Sequence, residues 1–276
     1  MAKALMTVAT GQQAKSKKPT IGTKTMLPGS KASTKAPSTV KPKATGKPKK
    51  TVVKVETDNT SDLAPKRIRT ILARLNKKYP KARCALHHRN AWELLVATIL
   101  SAQCTDVRVN LVTPELFRRF PTPAAMASAS LPELESLVRT TGFFRNKAKN
   151  ILGAAQRVMD AFGGKVPANM QQLLSLPGVA RKTANVVLGS WFGIAEGIVV
   201  DTHVYRISHR LGLTKATTPE KVEQDLTRVL PKNHWIDYSH QIIYLGREIC
   251  VARKPRCMNC FLEDLCHADD KTWSTH

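Results

Sequence analysis

The stretch formed by residues 176–203 constrains the fold more than any other part of the chain, because it places a tight turn before an apolar helical pattern. Pro177 fixes φ and Gly178 permits positive φ, so Leu-Pro-Gly-Val predicts a turn between two helices. Residues 180–191 are apolar at helical spacing and predict the second of these helices. Its free N–H groups then point outward and attract a phosphate without reading a base. The stretch therefore indicates non-specific binding of nucleic acid.

Two residues in this stretch are candidates for chemistry. Lys182 falls in the first turn of the predicted second helix, where the helix dipole and partial burial are expected to activate an amine nucleophile. Asp201 follows the apolar run of residues 198–200 and precedes another predicted helix. N-capping is the commoner role of an Asp at such a position, and Lys182 can equally contact a phosphate. The spacing alone leaves both interpretations open.

The charge of the chain also points to a polyanionic partner. The formal net charge is +24, and residues 1–62, with 13 lysines and three acidic residues, account for +10 of it. The remaining +14 lies in the rest of the chain, so the basic character is not confined to the N-terminal segment. Because residues 1–62 are rich in Lys, Thr, Ala, Pro and Gly, we predict that they form a disordered basic tail.

Length and hydropathy limit the remaining possibilities. A chain of 276 residues with 42% hydrophobic residues can form one large or two small domains around a real core. No apolar run approaches the roughly 20 residues of a membrane span, and the N-terminus has the pattern of neither a secretory signal nor a transit peptide. We therefore expect an intracellular protein, in the cytoplasm or nucleoid if it is bacterial and in the nucleus if it is eukaryotic. We also expect a monomer that does not bind membranes.

Helical periodicity runs through the chain beyond the tail, and no alternating strand pattern interrupts it. We therefore predict an all-α fold. The predicted helices span residues 65–79, 92–100, 105–120, 131–139, 146–162, 180–191, 203–211, 219–230 and 234–249.

Four cysteines lie close together near the C-terminus. Cys250, Cys257, Cys260 and Cys266 have the spacing C-x6-C-x2-C-x5-C, which differs from that of zinc fingers and ribbons and from that of ferredoxins. In a reducing compartment, clustered thiols indicate a metal centre rather than disulfides. Thiolate chemistry alone allows either zinc or an iron–sulfur cluster at this position.

Three motifs resemble the endonuclease III family of the helix-hairpin-helix DNA glycosylase superfamily: LPGVARKTANVVL followed by VDTH, the segment SAQCTD, and the cysteine spacing. The resemblance runs from about residue 66 to about residue 267. It implies a [4Fe–4S] cluster on the four cysteines, with the cluster as a structural brace. One departure is Ala180, which stands where the family usually has the second hairpin glycine.

The resemblance implies the activity of a bifunctional DNA glycosylase and AP lyase in base excision repair. Its implied partner is double-stranded DNA that contains an oxidised pyrimidine of the thymine-glycol type or an abasic site. Lys182 falls where members with lyase activity keep a lysine, so it is expected to attack the sugar C1′ and to form a Schiff base, and β-elimination then nicks the strand. Asp201 is expected to assist deprotonation and to stabilise positive charge on the sugar.

Other residues are expected to contact the DNA or the lesion. The resemblance implies that Gln103 fills the gap left by the extruded nucleotide and that Asp106 lines the lesion pocket. Phe143 is the candidate wedge, with Phe144 beside it as the alternative, although the family usually has an aliphatic residue and a Tyr at these two positions. The expected phosphate contacts are the hairpin residues Gly178, Ala180 and Thr183 and the basic loop residues Arg253, Lys254 and Arg256.

We predict two lobes. Residues 84–194 form a helical bundle that carries the hairpin, and residues 63–83 together with 195–276 form the lobe that carries the cluster, so that Lys182 and Asp201 face each other across a DNA-binding cleft. Two other classes are compatible with single features, namely an architectural DNA-binding protein without enzymatic activity and a zinc-containing regulator. The pairing of Lys182 with Asp201 favours an enzyme, because binding alone does not require it.

Overall fold

Helices form all the regular structure of residues 62–273, which are the residues that the computed structural model describes. The predicted all-α fold is therefore confirmed for this part of the chain. The predicted basic tail, residues 1–62, lies outside the described residues apart from Asp62. None of the described helices is long and apolar enough to cross a membrane. The α-helices of residues 62–273 are α1 (Pro65–Lys78), α2 (Ala91–Leu100), α3 (Asp106–Arg119), α4 (Pro123–Ala127), α5 (Leu131–Val138), α6 (Phe144–Phe162), α7 (Met170–Leu174), α8 (Arg181–Ser190), α9 (Thr202–Arg210), α10 (Pro219–Val229) and α11 (Trp235–Glu248).

Several helices begin at a side-chain cap that can be recognised in the sequence. The side chain of Asn90 accepts a hydrogen bond from the Glu93 N–H at 2.9 Å at the start of α2. The periodic pattern does not delimit α4 and α7, because five residues are too few to show a clear repeat. Both short helices nevertheless follow a capping residue, Thr122 for α4 and Asn169 for α7. Capping residues therefore mark the helices that periodicity misses.

Two hydrophobic clusters hold the helices together by removing apolar surface from water. The first cluster draws on α2 to α8 and includes Leu94, Ile151 and Leu188, which are fully buried. The second cluster joins α1 to α9, α10 and α11 and includes Ile71 and Tyr238, also fully buried. The chain thus contributes α1 to the second cluster, builds the first cluster, and returns to the second after α8.

The turn between α7 and α8 requires glycine at one position only. Gly178 has a φ of +76°, and a Cβ atom there would lie 2.7 Å from the Cβ of Asn150, so both conformation and space exclude a side chain. Ala180 has φ −89° and ψ 171°, an extended conformation that any residue adopts. The alanine at the usual glycine position therefore causes no left-handed strain, and it forms the N-cap of α8.

Helix α9 anchors the cysteine-rich segment that follows α11. Arg206 donates a hydrogen bond to the Cys250 carbonyl at 2.8 Å. Arg210 donates to the carbonyl groups of Val251 and Ala252 at 2.8 and 3.2 Å. Because α9 also begins at Asp201, these contacts connect the candidate carboxylate to the cysteine-rich segment through a single short helix.

Candidate active site and cysteine centre

Lys182 and Asp201 lie together where two cavities adjoin. One is a narrow pocket of about 120 Å³, and the other is a wide groove of about 700 Å³. The residues that line both cavities are Ser101, Asp106, Lys182, Asp201 and Arg247. These five residues form what we call the pocket mouth, where the narrow pocket meets the wide groove.

The Asp201 carboxylate is held at the pocket mouth by three hydrogen bonds. Its Oδ1 accepts from the backbone N–H groups of His203 and Val204 at 2.9 and 2.8 Å, and its Oδ2 lies 2.8 Å from Nδ1 of His203. Burial opposes the charged form, but the hydrogen bonds from His203 and Val204, with the positive charges of His203 and Lys182, hold the Asp201 pKa below its ordinary value. Asp201 is therefore both the N-cap of α9 and an ionised group at the pocket mouth.

Lys182 is the second residue of α8, and its side chain is exposed. The prediction of partial burial was wrong, because α8 turns Ala184, Asn185, Val187 and Leu188 toward the interior and leaves its first turn at the surface. Among residues 62–273, no hydrogen bond or ion pair holds the Lys182 amine. The amine can therefore reach a molecule in the pocket without first breaking a contact.

The N-terminus of α8 presents backbone N–H groups that no side chain caps. Ala180, the N-cap, carries no side-chain oxygen, and the first turn has no side-chain cap. Gly178 and Ala180 are exposed, and Thr183 is half-buried. Free N–H groups together with the helix dipole form a binding site for an anion such as a phosphate.

Gln103 and Phe143 both project from strained backbone. Their φ values are 53° and 47°, in the left-handed region that costs a non-glycine residue about 1 kcal/mol or more. Both side chains are exposed, Phe143 to 66%. Phe144 is half-buried against the first cluster, and the Arg145 guanidinium lies 5.3 Å from the centre of its ring. Of the two adjacent rings, Phe143 is therefore the one available to a partner.

Asp106 lies at the pocket mouth, where it forms an ion pair with Arg247. Thr105, and not Asp106, caps α3, since its Oγ1 accepts from the Arg108 N–H at 3.3 Å. Arg247 belongs to α11 and is separated from Asp106 by 141 positions. Arg247 was not predicted, because no local pattern connects two residues so far apart.

The interior of the narrow pocket combines an apolar wall with a few polar groups. Val186, Val199 and Ile243 line it, together with Cys84 and His240. Burial lowers the pKa of His240 and raises the pKa of the Cys84 thiol, so both groups are neutral at pH 7. A mostly apolar pocket with a few hydrogen-bonding groups suits a small ring that carries polar substituents. None of these pocket-lining residues was predicted, since they come from three separate parts of the chain.

The basic residues predicted in the cysteine-rich segment lie together at the surface. Arg253, Lys254 and Arg256 are all exposed, and Pro255 between them is buried. Lys254 has a φ of 52°, so the backbone turns sharply at the centre of the loop. The Arg256 N–H returns to the Ile249 carbonyl at 3.0 Å and closes the loop. The loop thus presents three cations outward, and their contact with phosphate stays a prediction.

The four clustered cysteines line a single cavity, and none of them forms a disulfide. Within residues 62–273, no three His, Cys, Asp or Glu side chains converge as the ligands of one metal ion do. Arg210 Nη1 donates to Cys250 Sγ at 3.2 Å, and the Thr272 N–H donates to Cys257 Sγ at 3.5 Å. Hydrogen bonds to sulfur stabilise cluster-bound thiolates. Four thiols around one cavity, with donors directed at two of them, fit an iron–sulfur cluster.

Two family models match the chain in the regions that carry these sites. The HhH-GPD superfamily base excision DNA repair protein matches residues 96–232, which include the hairpin, Lys182 and Asp201. The iron-sulfur binding domain of endonuclease III matches residues 250–266, which contain the four cysteines. Fold and site together define a base excision DNA repair protein of the helix-hairpin-helix class.

Comparison with individual proteins identifies the family within this class. Endonuclease III of Synechocystis sp. (strain ATCC 27184 / PCC 6803 / Kazusa) is 57% identical over 71% of this chain and 90% of that protein. Endonuclease III of Escherichia coli (strain K12) is 40% identical over 73% of this chain and 95% of that protein. A solved structure of a trapped endonuclease III–DNA covalent intermediate has a TM-score of 0.70 at 44% identity and covers 74% of this chain and 95% of that one.

The chain belongs to the endonuclease III family. It is a DNA glycosylase with AP lyase activity that binds DNA, and the predicted activity is confirmed at this level. It carries a [4Fe–4S] cluster in the C-terminal cysteine-rich region, as predicted.

Proposed function

We propose that this enzyme removes oxidised pyrimidines of the thymine-glycol type from duplex DNA and nicks the strand at abasic sites, with Lys182 as the nucleophile and Asp201 as its partner. One observation carries the proposal: both residues stand at the mouth of a pocket that opens into a wide groove. N-capping by Asp201 and a phosphate contact by Lys182 do not require the two side chains to share a pocket. A reaction in which both residues act on one bound nucleotide does require the two side chains to share a pocket.

Duplex DNA lies across the wide groove in this proposal, between a bundle of residues 84–194 and a lobe of residues 63–83 with 195–276. The division into two hydrophobic clusters supports these lobes. Both sides of the pocket mouth come from one chain, which supports action as a monomer, inside the cell where the genomic DNA lies. The proposed phosphate contacts are Gly178, Ala180, Thr183, Arg253, Lys254 and Arg256.

Extrusion of the damaged nucleotide places its base in the narrow pocket. Unstacking a base costs a few kcal/mol, which side chains inserted into the vacated space help to offset. Gln103 and Phe143 have the required exposure, and both lie on left-handed backbone. We assign the gap to Gln103 and the wedge to Phe143, and Asp106 lines the pocket from its mouth.

The chemistry then uses the contrast between a free amine and a fixed charge. The Lys182 amine attacks C1′ as the glycosidic bond breaks and the base leaves with the bonding electrons. Asp201 faces the positive charge that develops on the sugar and takes up the proton that the amine loses. Because its pKa is lowered, Asp201 is a weak base and a persistent charge, so electrostatic stabilisation is its larger contribution. The C1′–O4′ bond of the resulting aminal then breaks, and the opened sugar is a protonated Schiff base. When water takes up the C2′ proton, the C3′–O bond breaks and the 3′ phosphate leaves with the bonding electrons.

The cysteine centre has a structural part in this proposal. Cys250, Cys257, Cys260 and Cys266 would hold the cluster, which braces the basic loop when it is bound. Arg206 and Arg210 of α9 keep this loop in a fixed relation to Asp201 through their hydrogen bonds to its carbonyl groups.

Trapping with borohydride on a duplex that contains thymine glycol tests the proposal. Borohydride reduces a Schiff base to a stable amine, so the wild-type enzyme should form a covalent complex with the DNA. Lys182→Gln should form none and should not cleave the strand, while it still binds the lesion duplex. Lys221→Gln, which removes an exposed lysine of α10, is the matched control and should trap normally. An adduct with Lys182→Gln would assign the nucleophile to another amine, and no adduct with the wild type would argue against thymine glycol as a substrate.

A further inference from the structure

We propose that Glu223 is a positioning residue that sets the Lys182 amine against the Asp201 carboxylate, an inference that rests on the proposed roles of both. Glu223 belongs to α10 and lines neither the narrow pocket nor the wide groove. It is only 8% exposed. A carboxylate buried to this degree requires charged or hydrogen-bonding partners. The identity of those partners is what connects Glu223 to the active site.

One set of partners lies on α8, the helix that carries Lys182. Nε of Arg181 lies 3.1 and 3.0 Å from the two carboxylate oxygens of Glu223, and its Nη2 lies 2.9 Å from Oε1. Asn185 Nδ2 donates to the same Oε1 at 3.0 Å. Arg181 immediately precedes Lys182, and Asn185 follows one turn later. The bidentate contact of Arg181 and the amide contact of Asn185 lie on either side of Lys182 in the sequence. Together they restrict both translation and rotation of the first turn of α8.

The other contact is with the segment that leads to Asp201. A Cβ atom on Gly197 would lie 1.9 Å from Oε1 of Glu223 and 2.7 Å from Nδ2 of Asn185, so the backbone of Gly197 packs directly against the carboxylate. Gly197 is not among the described glycines with positive φ, so this site requires glycine for space and not for conformation. Arg181 Nη2 also approaches the Glu196 carbonyl at 3.4 Å.

A single carboxylate therefore contacts both α8, which carries Lys182, and the segment that leads to Asp201. Residues 198–200 run from Gly197 directly to Asp201, whose position is then fixed by α9. Among the described residues no hydrogen bond or ion pair holds the Lys182 amine, so its distance from Asp201 depends on how α8 is held. Misplacing a reacting group by about 1 Å can cost a factor of about 100 in rate. Glu223 is the group that sets this placement.

Two substitutions test the role without altering Lys182 or Asp201. Glu223→Gln removes the charge but keeps the shape of the side chain, and Gly197→Ala leaves every charge in place but drives a methyl group into the carboxylate. With saturating enzyme, each should slow single-turnover base excision by about 10- to 100-fold, the scale of a misplaced reacting group. Affinity for the lesion duplex should change less than threefold. Glu220→Gln, an exposed acid on the same helix, is the matched control and should retain the wild-type rate.

A double variant separates positioning from a merely structural effect. If Glu223 acts through the pairing of Lys182 with Asp201, adding Glu223→Gln to the Asp201→Asn variant should lower the base-excision rate much less than adding it to the wild type. The reason is that the pairing is already lost in Asp201→Asn. Losses that multiply in the double variant would overturn the inference. The inference would also be overturned if Glu223→Gln and Gly197→Ala both excised the base at a rate within twofold of that of the Glu220→Gln control. If Gly197→Ala does not fold, Glu223→Gln alone decides.

Failure of the positioning role is distinguishable from failure of the proposed function. If Lys182→Gln forms no trapped complex while the Glu223 and Gly197 variants excise the base at the wild-type rate, Lys182 remains the assigned nucleophile. Glu223 would then have no positioning role. Persistent trapping in Lys182→Gln would instead overturn the proposed nucleophile. The two results come from separate variants, so neither obscures the other.

Discussion

The two residues that face each other at the pocket mouth are held in opposite ways. Lys182 is exposed and has no hydrogen bond within residues 62–273, whereas Asp201 is half-buried and takes part in three. In the proposed mechanism the Lys182 amine must move to reach C1′ and must lose a proton, and an amine without a hydrogen bond can do both. A charge that stabilises a transition state works best when it is fixed beforehand, because no energy is then spent on reorienting it. In the proposed mechanism, the mobile group and the fixed charge are therefore two separate residues.

The supports behind the two residues differ in the same way. Lys182 depends on α8, which is positioned from outside the pocket by the ion pair of Arg181 with Glu223. Asp201 depends on α9, which is tied by Arg206 and Arg210 to the cysteine-rich segment. Changes on the Asp201 side are therefore expected to affect stability as well as rate. Changes of the exposed Lys182 side chain itself are expected to affect rate almost alone.

Asp201→Asn should give the largest effect of the substitutions that probe this contrast. Base excision should fall by about 100-fold or more, the scale of losing one positioned charged group. Stability should fall by only about 1 kcal/mol, because Asn also caps helices and only the charge on the bond to His203 is lost. Single-turnover kinetics and thermal melting measure the two quantities. Asp160→Asn, an exposed acid on α6, is the control; unfolding at unchanged specific activity would reduce Asp201 to a cap.

Arg210→Met should have the next largest effect, and mainly on stability. The guanidinium is 9% exposed, pairs with Asp270, and holds two carbonyl groups and the Cys250 sulfur. Its loss should destabilise the protein by about 2 kcal/mol and lower the bound iron, on the scale of charge-assisted hydrogen bonds. Chemical denaturation and iron analysis measure this. Arg228→Met breaks a pair whose guanidinium is 74% exposed and should cost less than about 1 kcal/mol.

Lowering the pH is expected to have a smaller effect on stability, through protonation of Asp201. Because the Asp201 pKa is lower in the folded protein than its ordinary value of about 3.9, the ionised carboxylate stabilises the fold. This contribution is fully present above the ordinary value and is lost as the pH falls through the lowered pKa. The difference in melting temperature between wild type and Asp201→Asn should therefore be constant near neutrality and shrink below about pH 4. A difference that grows in acid would show that the pKa is raised instead.

Ala180→Gly should have the smallest effect. Glycine gains freedom in the unfolded chain, which destabilises the fold, but it is a better N-cap residue than alanine, and the two effects oppose each other. Since Ala180 has a negative φ, no left-handed strain is relieved. Stability should change by less than about 0.5 kcal/mol and the rate by less than twofold. A large gain in either quantity would mean that the hairpin is strained at Ala180.

Much of the fold could be predicted because its signals are local. The helical repeats, the Pro177-Gly178 turn and the cysteine spacing act over a few residues, and the structure contains helices and a single cavity in the corresponding places. Asp201 was recognisable as a cap for the same reason, since its hydrogen bonds reach only His203 and Val204. The roles of Lys182 and Asp201 in chemistry came from the resemblance of longer motifs, and they stay a proposal.

Short segments of the sequence were enough to predict the helices, the hairpin turn and the candidate residues for the chemistry, because helix propensity, capping and turn preferences are properties of a few neighbouring residues. The contacts between distant residues depend on the tertiary structure. It exposed Lys182, turned Phe143 outward and Phe144 inward, paired Asp106 with Arg247 across 141 positions, and joined Arg181 to Glu223 across 42. These contacts depend on how whole helices pack around two clusters, and packing is set by the summed burial of many side chains rather than by any local pattern.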